Sequence, residues 1–217
     1  MADVNRIRAF LRLTLADGVG AVTFRNIVQK FGDVTEAPVL SPDLLQMVKG
    51  VGEKTARAIV DLDEKLIDEE LAEVERRNVK ILCMEDADFP AALRNLHDCP
   101  PLLYVRGELR KTDAIAIGVV GSRRCTHYGM EQAERFGSLL GRAGFAIISG
   151  GARGIDTAAH RGAMQAGGRT VAVMGCGLCT AYPPENAGLF EEIAAGNGAL
   201  VSELPMRTAV LGGNFPT

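Results

Sequence analysis

The chain has 217 residues, of which 47% are hydrophobic, so it can bury the core of one large domain or of two smaller ones. No stretch approaches the roughly eighteen apolar residues of a membrane span, and the N-terminus lacks the apolar block of a secretory signal, so we expect a cytoplasmic protein without membrane attachment. The formal net charge of −3 argues against a generic nucleic-acid binder.

Residues 1–72 are predicted to form a small all-α domain. Within it, DGVGAVTFRNIVQKFG (17–32) and KGVGEKTARAIVDL (49–62) resemble each other, since each has Gly-Val-Gly before an amphipathic run. Four residues of the second segment can share one buried helix face: Val51, Ala56, Ile59 and Val60. The pattern is typical of a helix-hairpin-helix, whose helix-start amides bind phosphate, but it also fits two packed helices whose glycines permit a tight turn. The nearby acids favour the packing interpretation.

The charges are distributed unevenly along the chain. From Asp61 to Asp88 there are eleven acids and four bases, which predicts an acidic, solvated region. From Gly118 to Thr170 there are seven arginines and three acids, and no lysine follows Lys111. The guanidinium group offers a planar set of donors that suits phosphate, and it can stack on bases. Arginine preference in a GC-rich genome would also explain the missing lysines, but not the difference in sign between the two segments.

Residues 78–217 are predicted to form an α/β domain. Its early part contains Pro90, Pro100 and Pro101, which exclude a long helix there and predict an extension with short strands. From Ala114 onward, continuous apolar runs predict four strands, at 114–120, 145–149, 170–174 and 199–203. Helices are predicted between these strands. The first covers 127–143, the second follows the SGGARG loop and ends at about 166, and the third follows the loop after the third strand and ends at about 195. Such a pattern predicts a mostly parallel, doubly wound, Rossmann-like sheet with helices on both faces.

Three of the predicted strands end in small polar loops: GSRR (121–124), SGGARG (149–154) and GCGLCTAYPPEN (175–186). Because ligands of open α/β sheets bind beyond the carboxyl ends of the strands, we expect these loops to meet. The first loop presents Ser122, Arg123 and Arg124, and the second presents Arg153 and the amides of a helix start. Side-chain charge and main-chain donors together predict an anion-binding site.

Other chemistries fit this region poorly. The glycines lack the G-x-G-x-x-G spacing of a dinucleotide site and no G-x-x-x-x-G-K-[ST] occurs, so we expect no nucleotide cofactor. Asp156 and His160 could orient an acid–base step, but a capping aspartate and a buried histidine explain them better, because no nucleophile accompanies them. Cys176 and Cys179 form a single C-x-x-C, a weak zinc signal, so we expect no metal. Tyr182 could stack on a base or only pack the third loop.

Several consecutive motifs resemble the DNA-processing protein A family (DprA, also called Smf): GVVGSRR, SGGARGIDTAAHRGA, VMGCGL followed by YPPEN, and SELP. The resemblance covers roughly residues 78–217, and the helical part before them resembles the family's sterile-alpha-motif-like domain. Cys179 stands where the family often has aspartate. The chain stops at NFPT, where family members continue through an arginine-rich FPxRNRIIAGLS segment. We therefore expect a truncated chain that lacks part of the DNA pocket and of the dimer surface.

The resemblance implies an extended Rossmann fold without catalysis. It implies binding of single-stranded DNA, usually as a homodimer, and loading of the RecA recombinase onto that DNA during natural transformation. The implied DNA contacts are Ser122, Arg123, Gly150, Gly151, Arg153, Gly154 and Asn186, to which the charge pattern adds Arg124. The competing interpretation is an enzyme, since the glycine loop also resembles that of lysine-decarboxylase-like phosphoribohydrolases, which cleave nucleoside monophosphates. Their P-G-G-x-G-T element and its catalytic glutamate do not occur in this sequence.

Overall fold

The computed structural model describes residues 4–35 and 40–214. These residues divide into two compact units. The first comprises the described residues up to Glu75 together with Ile81–Leu103, and the second comprises Arg76–Lys80 and the described residues from Tyr104 onward. The domain bounds expected from the sequence, 1–72 and 78–217, stay a prediction.

Five helices lie in the described residues up to Arg76: α1 (Val4–Leu15), α2 (Ala21–Phe31), α3 (Pro42–Gln46), α4 (Glu53–Val60) and α5 (Glu64–Arg76). Their buried faces repeat at helical spacing, and the Phe10 and Phe24 rings of α1 and α2 lie with centroids 5.0 Å apart. Arg8 of α1 bonds Asp68 of α5 at 2.7 Å. The expectation that the whole acidic stretch is solvated is wrong, because Glu70 and Glu73 of α5 are buried.

The two Gly-Val-Gly segments pack against each other's helices. Gly18 has φ +86°, and a Cβ added to it would lie 2.5 Å from the Oγ1 atom of Thr55 in α4. Gly50 has φ +90°, and a Cβ added to it would lie 3.5 Å from the Oγ1 atom of Thr23 in α2. Three of the four predicted core residues, including Ile59, are buried, and Val60 is partly buried. These contacts support the packing interpretation of the repeated segments.

The remaining strands and α-helices mostly alternate along the chain. They are β1 (Val79–Cys83), α6 (Ala91–Arg94), β2 (Leu102–Gly107), β3 (Ala116–Gly118), α7 (His127–Arg142), β4 (Ala146–Ser149), α8 (Ile155–Gln165), β5 (Thr170–Val173), α9 (Ala187–Glu192) and β6 (Gly198–Ser202). The strand order is β1-β2-β6-β5-β4-β3. Neighbouring strands from β3 to β6 are parallel, while β2 runs antiparallel to β6 with Tyr104 opposite Ser202. The predicted mostly parallel α/β sheet is confirmed.

Small residues bring α7 and α8 together. A Cβ added to Gly162 of α8 would lie 2.0 Å from the Glu134 carbonyl oxygen of α7, and one added to Gly137 would lie 2.4 Å from the Ala159 carbonyl oxygen. Ile147 of β4 packs against Ala159 from the sheet side. This close packing holds α7 and α8, the helices that follow the first two loops, against each other. None of the helices within residues 4–35 and 40–214 is long and apolar enough to cross a bilayer.

Candidate functional site

The loops that follow β3 and β4 contact each other directly. Gly154 has φ +77°, a value that favours glycine, and a Cβ added to it would lie 2.4 Å from the carbonyl oxygen of Ser122. The Ile155 amide donates to that same oxygen at 3.4 Å. We use the term rim for Ser122–Arg124 and Gly150–Gly154. A Cβ added to Gly154 would also lie 3.3 Å from the Arg123 carbonyl carbon, so Gly154, the residue that follows Arg153, lies against the backbone of Arg123.

The carboxylate of Asp156 accepts hydrogen bonds from both loops. It lies in the first turn of α8, is 5% exposed, and accepts the amides of Gly121 at 3.4 Å, Gly150 at 3.1 Å and Ala152 at 3.3 Å. A carboxylate at a helix N-terminus also interacts favourably with the helix dipole. The Gly150 amide was expected to face an anion, but it faces Asp156 instead. Gly150 therefore contributes to the shape of the rim and not to its donors.

Of the other predicted residues of the second loop, Arg153 is exposed and Gly154 is partly exposed, whereas Gly151 is buried. In the described part of the chain, no acceptor bonds the amides of Gly151, Arg153 and Gly154. Gly151 has φ +67°, and a Cβ there would lie 2.8 Å from the Phe190 ring, so this position also requires glycine. Unsatisfied amides at the start of a helix attract anions.

The first loop presents its side chains to solvent. Ser122, Arg123 and Arg124 are all exposed, and the Arg124 amide donates to the Ser122 Oγ at 3.1 Å, which closes a tight turn. Among the residues that the structure describes, no carboxylate lies within ion-pair distance of Arg124. The sequence prediction that this loop offers exposed positive charge is therefore in agreement with the structure.

Arg153 is paired with an acid that the sequence interpretation missed. Its Nε atom donates to Glu185 Oε1, its Nη2 atom donates to Oε2 at 3.1 Å, and both side chains are 50% exposed. The hydrogen bond to Glu185 raises the pKa of Arg153, and the same bond lowers the pKa of Glu185. Tyr182 also contributes to the raised pKa of Arg153. Glu185 is the single acid of the third loop, which is the signal that could have pointed to it.

Asn186 lies beneath the second loop. It is 3% exposed, and its amide nitrogen donates to the Gly151 carbonyl at 2.9 Å and to the Thr157 hydroxyl at 2.7 Å. The Thr157 hydroxyl in turn donates to the Ala152 carbonyl at 2.7 Å. The side chain expected to contact a ligand is thus used to hold the loop backbone, because its donors are already bonded within the protein.

The prediction of a buried structural histidine at position 160 is confirmed, whereas Asp156 does not cap α8 as expected and bonds loop amides instead. His160 is fully buried, and its Nδ1 atom lies 2.7 Å from the Thr170 hydroxyl. That hydroxyl donates to the Ile147 carbonyl, so Nδ1 carries the proton and donates to Thr170. Burial lowers the pKa of His160 to about 4. Neither side chain is presented to a substrate.

The C-x-x-C pair is formed by Cys176 and Cys179, a weak zinc signal in the sequence. Cys176 is buried, burial raises the pKa of its thiol, and its Sγ atom contacts the Thr180 carbonyl at 3.6 Å. All five cysteines are free thiols. Within the described ranges, no three His, Cys, Asp or Glu side chains are grouped so as to hold a metal ion.

The rim therefore combines exposed guanidinium groups with open main-chain donors over a rigid hydrogen-bonded base. Such an arrangement binds oxyanions, and phosphate in particular matches the fork of an arginine side chain. The rim lies where the parallel strands β3 and β4 end, the place at which open α/β sheets bind ligands.

Comparisons with known proteins identify the family of the chain. Residues 80–217 match the sequence model of the DNA recombination-mediator protein A family. Protein Smf from Synechocystis sp. is 36% identical over 204 residues, which cover 92% of this chain and 51% of that protein. The chain thus spans about half the length of this relative.

Two solved structures are also similar. The X-ray structure of DNA processing protein A from Streptococcus pneumoniae has a TM-score of 0.79 and 26% identity, with 99% of this chain and 72% of that chain covered. DNA processing protein A from Helicobacter pylori, whose structure describes its single-stranded DNA binding mode, has a TM-score of 0.54 and 29% identity, with 62% and 60% covered. The chain belongs to the DNA recombination-mediator protein A family.

Proposed function

We propose that the rim binds the phosphates of single-stranded DNA. The observation that carries the proposal is the contact between Gly154 and Ser122, which brings Arg123 and Arg124 to the same edge as Arg153. Successive phosphates of a strand can then meet charges from two loops at once. The single-stranded DNA binding mode described for the Helicobacter pylori relative supports the choice of ligand.

The chemistry of the rim favours contacts to the DNA backbone over base recognition. Guanidinium groups and amides bond phosphate oxygens, which are the same for every nucleotide. Proteins that bind single strands without sequence preference use this combination of a basic groove and sequence-tolerant contacts. We therefore expect weak sequence preference and a strong dependence on salt concentration.

The wider role that we propose is that of a cytoplasmic recombination mediator. In this role the protein binds single-stranded DNA as a homodimer and helps to load the RecA recombinase onto it during natural transformation. Membership of the DNA recombination-mediator protein A family supports this role. A pull-down of RecA on immobilised oligonucleotide, with and without the chain, tests the loading step directly.

We infer no catalytic step for this site. The acid–base pair that the sequence offered is used for structure, since Asp156 accepts three amides and His160 is fully buried. Hydrolysis of nucleoside monophosphates needs a general acid or base that reaches the substrate. Incubation with nucleoside monophosphates and detection of released base separates the two functions, and base release would overturn this inference.

Retention of a labelled oligonucleotide tests the binding proposal. We compare the wild type with the double variant Arg123→Ala/Arg153→Ala and with Arg142→Ala. Arg142 is an exposed arginine at the last residue of α7, about 22 Å along that 16-residue helix from its first residue. The double variant should lose most retention and Arg142→Ala should keep it. Equal retention by all three proteins would reject the rim as the DNA site.

A further inference from the structure

An exposed aromatic side chain, which the proposed phosphate contacts do not use, lies next to the rim. Tyr128 is 69% exposed and lies in the first turn of α7, the helix that begins directly after the first loop. The other two tyrosines are less accessible, since Tyr104 is 1% exposed and Tyr182 is partly buried. Single exposed aromatics are common on protein surfaces, so exposure alone assigns nothing. The position of Tyr128 is what matters.

The backbone of Tyr128 is held against the second loop. Thr126 caps α7, and its hydroxyl accepts the Gly129 amide at 3.1 Å, which fixes the first turn. A Cβ added to Gly129 would lie 3.4 Å from the Cys125 Cβ and 3.5 Å from the Ile155 Cδ1. Ile155 directly follows the rim residue Gly154. The first turn of α7, and Tyr128 within it, is therefore packed beside the rim.

The distance from Tyr128 to the rim charges is short on the scale of a nucleic-acid strand. Tyr128 lies four positions after Arg124 in the chain, so their Cα atoms are at most about 14 Å apart even for a fully extended chain. A strand whose phosphates bind Arg123 and Arg124 thus carries its bases within reach of the Tyr128 ring. In a single strand those bases have open faces, whereas in a duplex the faces are covered by neighbouring base pairs.

We propose that Tyr128 is a stacking platform for an unpaired base of the strand whose phosphates bind the rim. This inference rests on the proposed function of the rim. It adds a second, apolar contact to a site otherwise built from charges and amides. Because every base has an aromatic face, such a contact selects single strands over duplexes without reading their sequence.

The competing interpretation is that Tyr128 belongs to an apolar face of α7 that contacts another protein. Phe136 is 55% exposed on the same helix, eight residues and thus about 12 Å further along. A protein-contact face would need both rings, whereas base stacking beside the rim needs only Tyr128. Phe136→Ala is therefore a control that removes another exposed aromatic ring from the same helix.

The test measures affinity for an ordinary oligonucleotide and for an abasic oligonucleotide of equal length. Tyr128→Ala should weaken binding of the ordinary strand about fivefold to a hundredfold and leave binding of the abasic strand unchanged. Tyr128→Phe should keep the wild-type affinity, since the ring remains, and Phe136→Ala should behave as the wild type. As the chain has no tryptophan, tyrosine fluorescence can follow the same titrations, and Tyr128→Phe should lose most of its quenching by the ordinary strand.

The outcomes separate this inference from the function on which it rests. If the wild type binds both oligonucleotides and Tyr128→Ala binds the ordinary strand as tightly as the wild type does, stacking is rejected and phosphate binding stands. Equal weakening by Tyr128→Ala and Phe136→Ala would also reject stacking and indicate a surface effect of α7. If the wild type binds neither oligonucleotide, both the proposed function and this inference fail.

Discussion

The guanidinium group of Arg153 and the carboxylate of Glu185 form a two-point ion pair at the rim, and both side chains remain half exposed. A solvent-exposed pair of this kind contributes little to stability, because water screens the charges. It can therefore open when a stronger anionic partner arrives. A DNA phosphate offers the same fork of oxygens to Arg153 as Glu185 does, so the two compete for one guanidinium group.

Removal of the competing carboxylate should strengthen DNA binding. Glu185→Gln keeps the size of the side chain but removes the charge that holds Arg153 and repels phosphate. We expect about twofold to fivefold tighter binding of a single-stranded oligonucleotide, measured by fluorescence anisotropy. The matched control is Glu191→Gln on α9, which breaks the ion pair with Arg106 of β2 and should leave affinity unchanged. Weaker or unchanged binding by Glu185→Gln would show that Arg153 does not exchange Glu185 for phosphate.

Loss of the Asp156 carboxylate should loosen both loops of the rim. Asp156→Asn replaces one acceptor oxygen by a donor and leaves at least one of the three loop amides without its partner in a buried position. The free energy of unfolding should fall by about 1–3 kcal/mol. Hydrogen exchange should speed up at Gly121, Gly150 and Ala152 before it does so in the sheet. Unaltered protection of these amides would contradict the assigned role of Asp156.

The contact between Gly154 and Ser122 can be tested by substitution of the glycine. Gly154→Ala places a side chain at φ +77° and creates a clash with the Ser122 carbonyl oxygen, 2.4 Å from the added Cβ. Gly167→Ala also places a side chain at a positive φ, +69°, but no atom lies within 4 Å of the added Cβ. We expect Gly167→Ala to cost about 1 kcal/mol and to leave DNA affinity unchanged. Gly154→Ala should cost more and should also weaken DNA binding, and identical behaviour of the two variants would argue against the loop contact.

The buried imidazole of His160 predicts a dependence of stability on pH. Its pKa is lowered to about 4, so the unfolded chain binds a proton between about pH 6.5 and 4 that the folded protein does not bind. Stability from this group is therefore complete above about pH 6.5 and decreases as pH falls towards 4, by up to about 3 kcal/mol. His160→Asn keeps a donor towards Thr170 but cannot titrate. Denaturant unfolding at several pH values should show a smaller acid-induced loss for the variant, and parallel curves would contradict this assignment.

The second unit was largely predictable because its hydrophobic patterning is continuous. The four strands expected from apolar runs are β3 to β6, and their observed bounds lie within two residues of the expected ones. The antiparallel pairing of β2 with β6 was not predictable. Residues 102–107 and 198–202 are distant in sequence, and no local pattern records which edge a strand joins.

The convergence of the first two loops followed from a general rule about strand ends, but their internal bonds did not. Glycine and asparagine in a loop indicate that the backbone needs freedom or an amide partner, and they do not indicate whether that partner is a ligand or the protein. Gly150 and Asn186 belong to the second case, since both donate to groups of the chain itself. Likewise, the pairing of Arg153 with Glu185 depends on the path of the third loop, which its composition does not define.

The salt dependence of oligonucleotide affinity tests the central claim most directly. The logarithm of the association constant should fall linearly with the logarithm of salt concentration, with a slope of about −0.7 for each phosphate neutralised. Arg124→Ala removes one exposed cation of the rim, so its slope should be shallower by about 0.7, while Arg142→Ala should keep the wild-type slope. An affinity that is insensitive to salt, or equal slopes for the wild type and Arg124→Ala, would contradict phosphate binding at the rim.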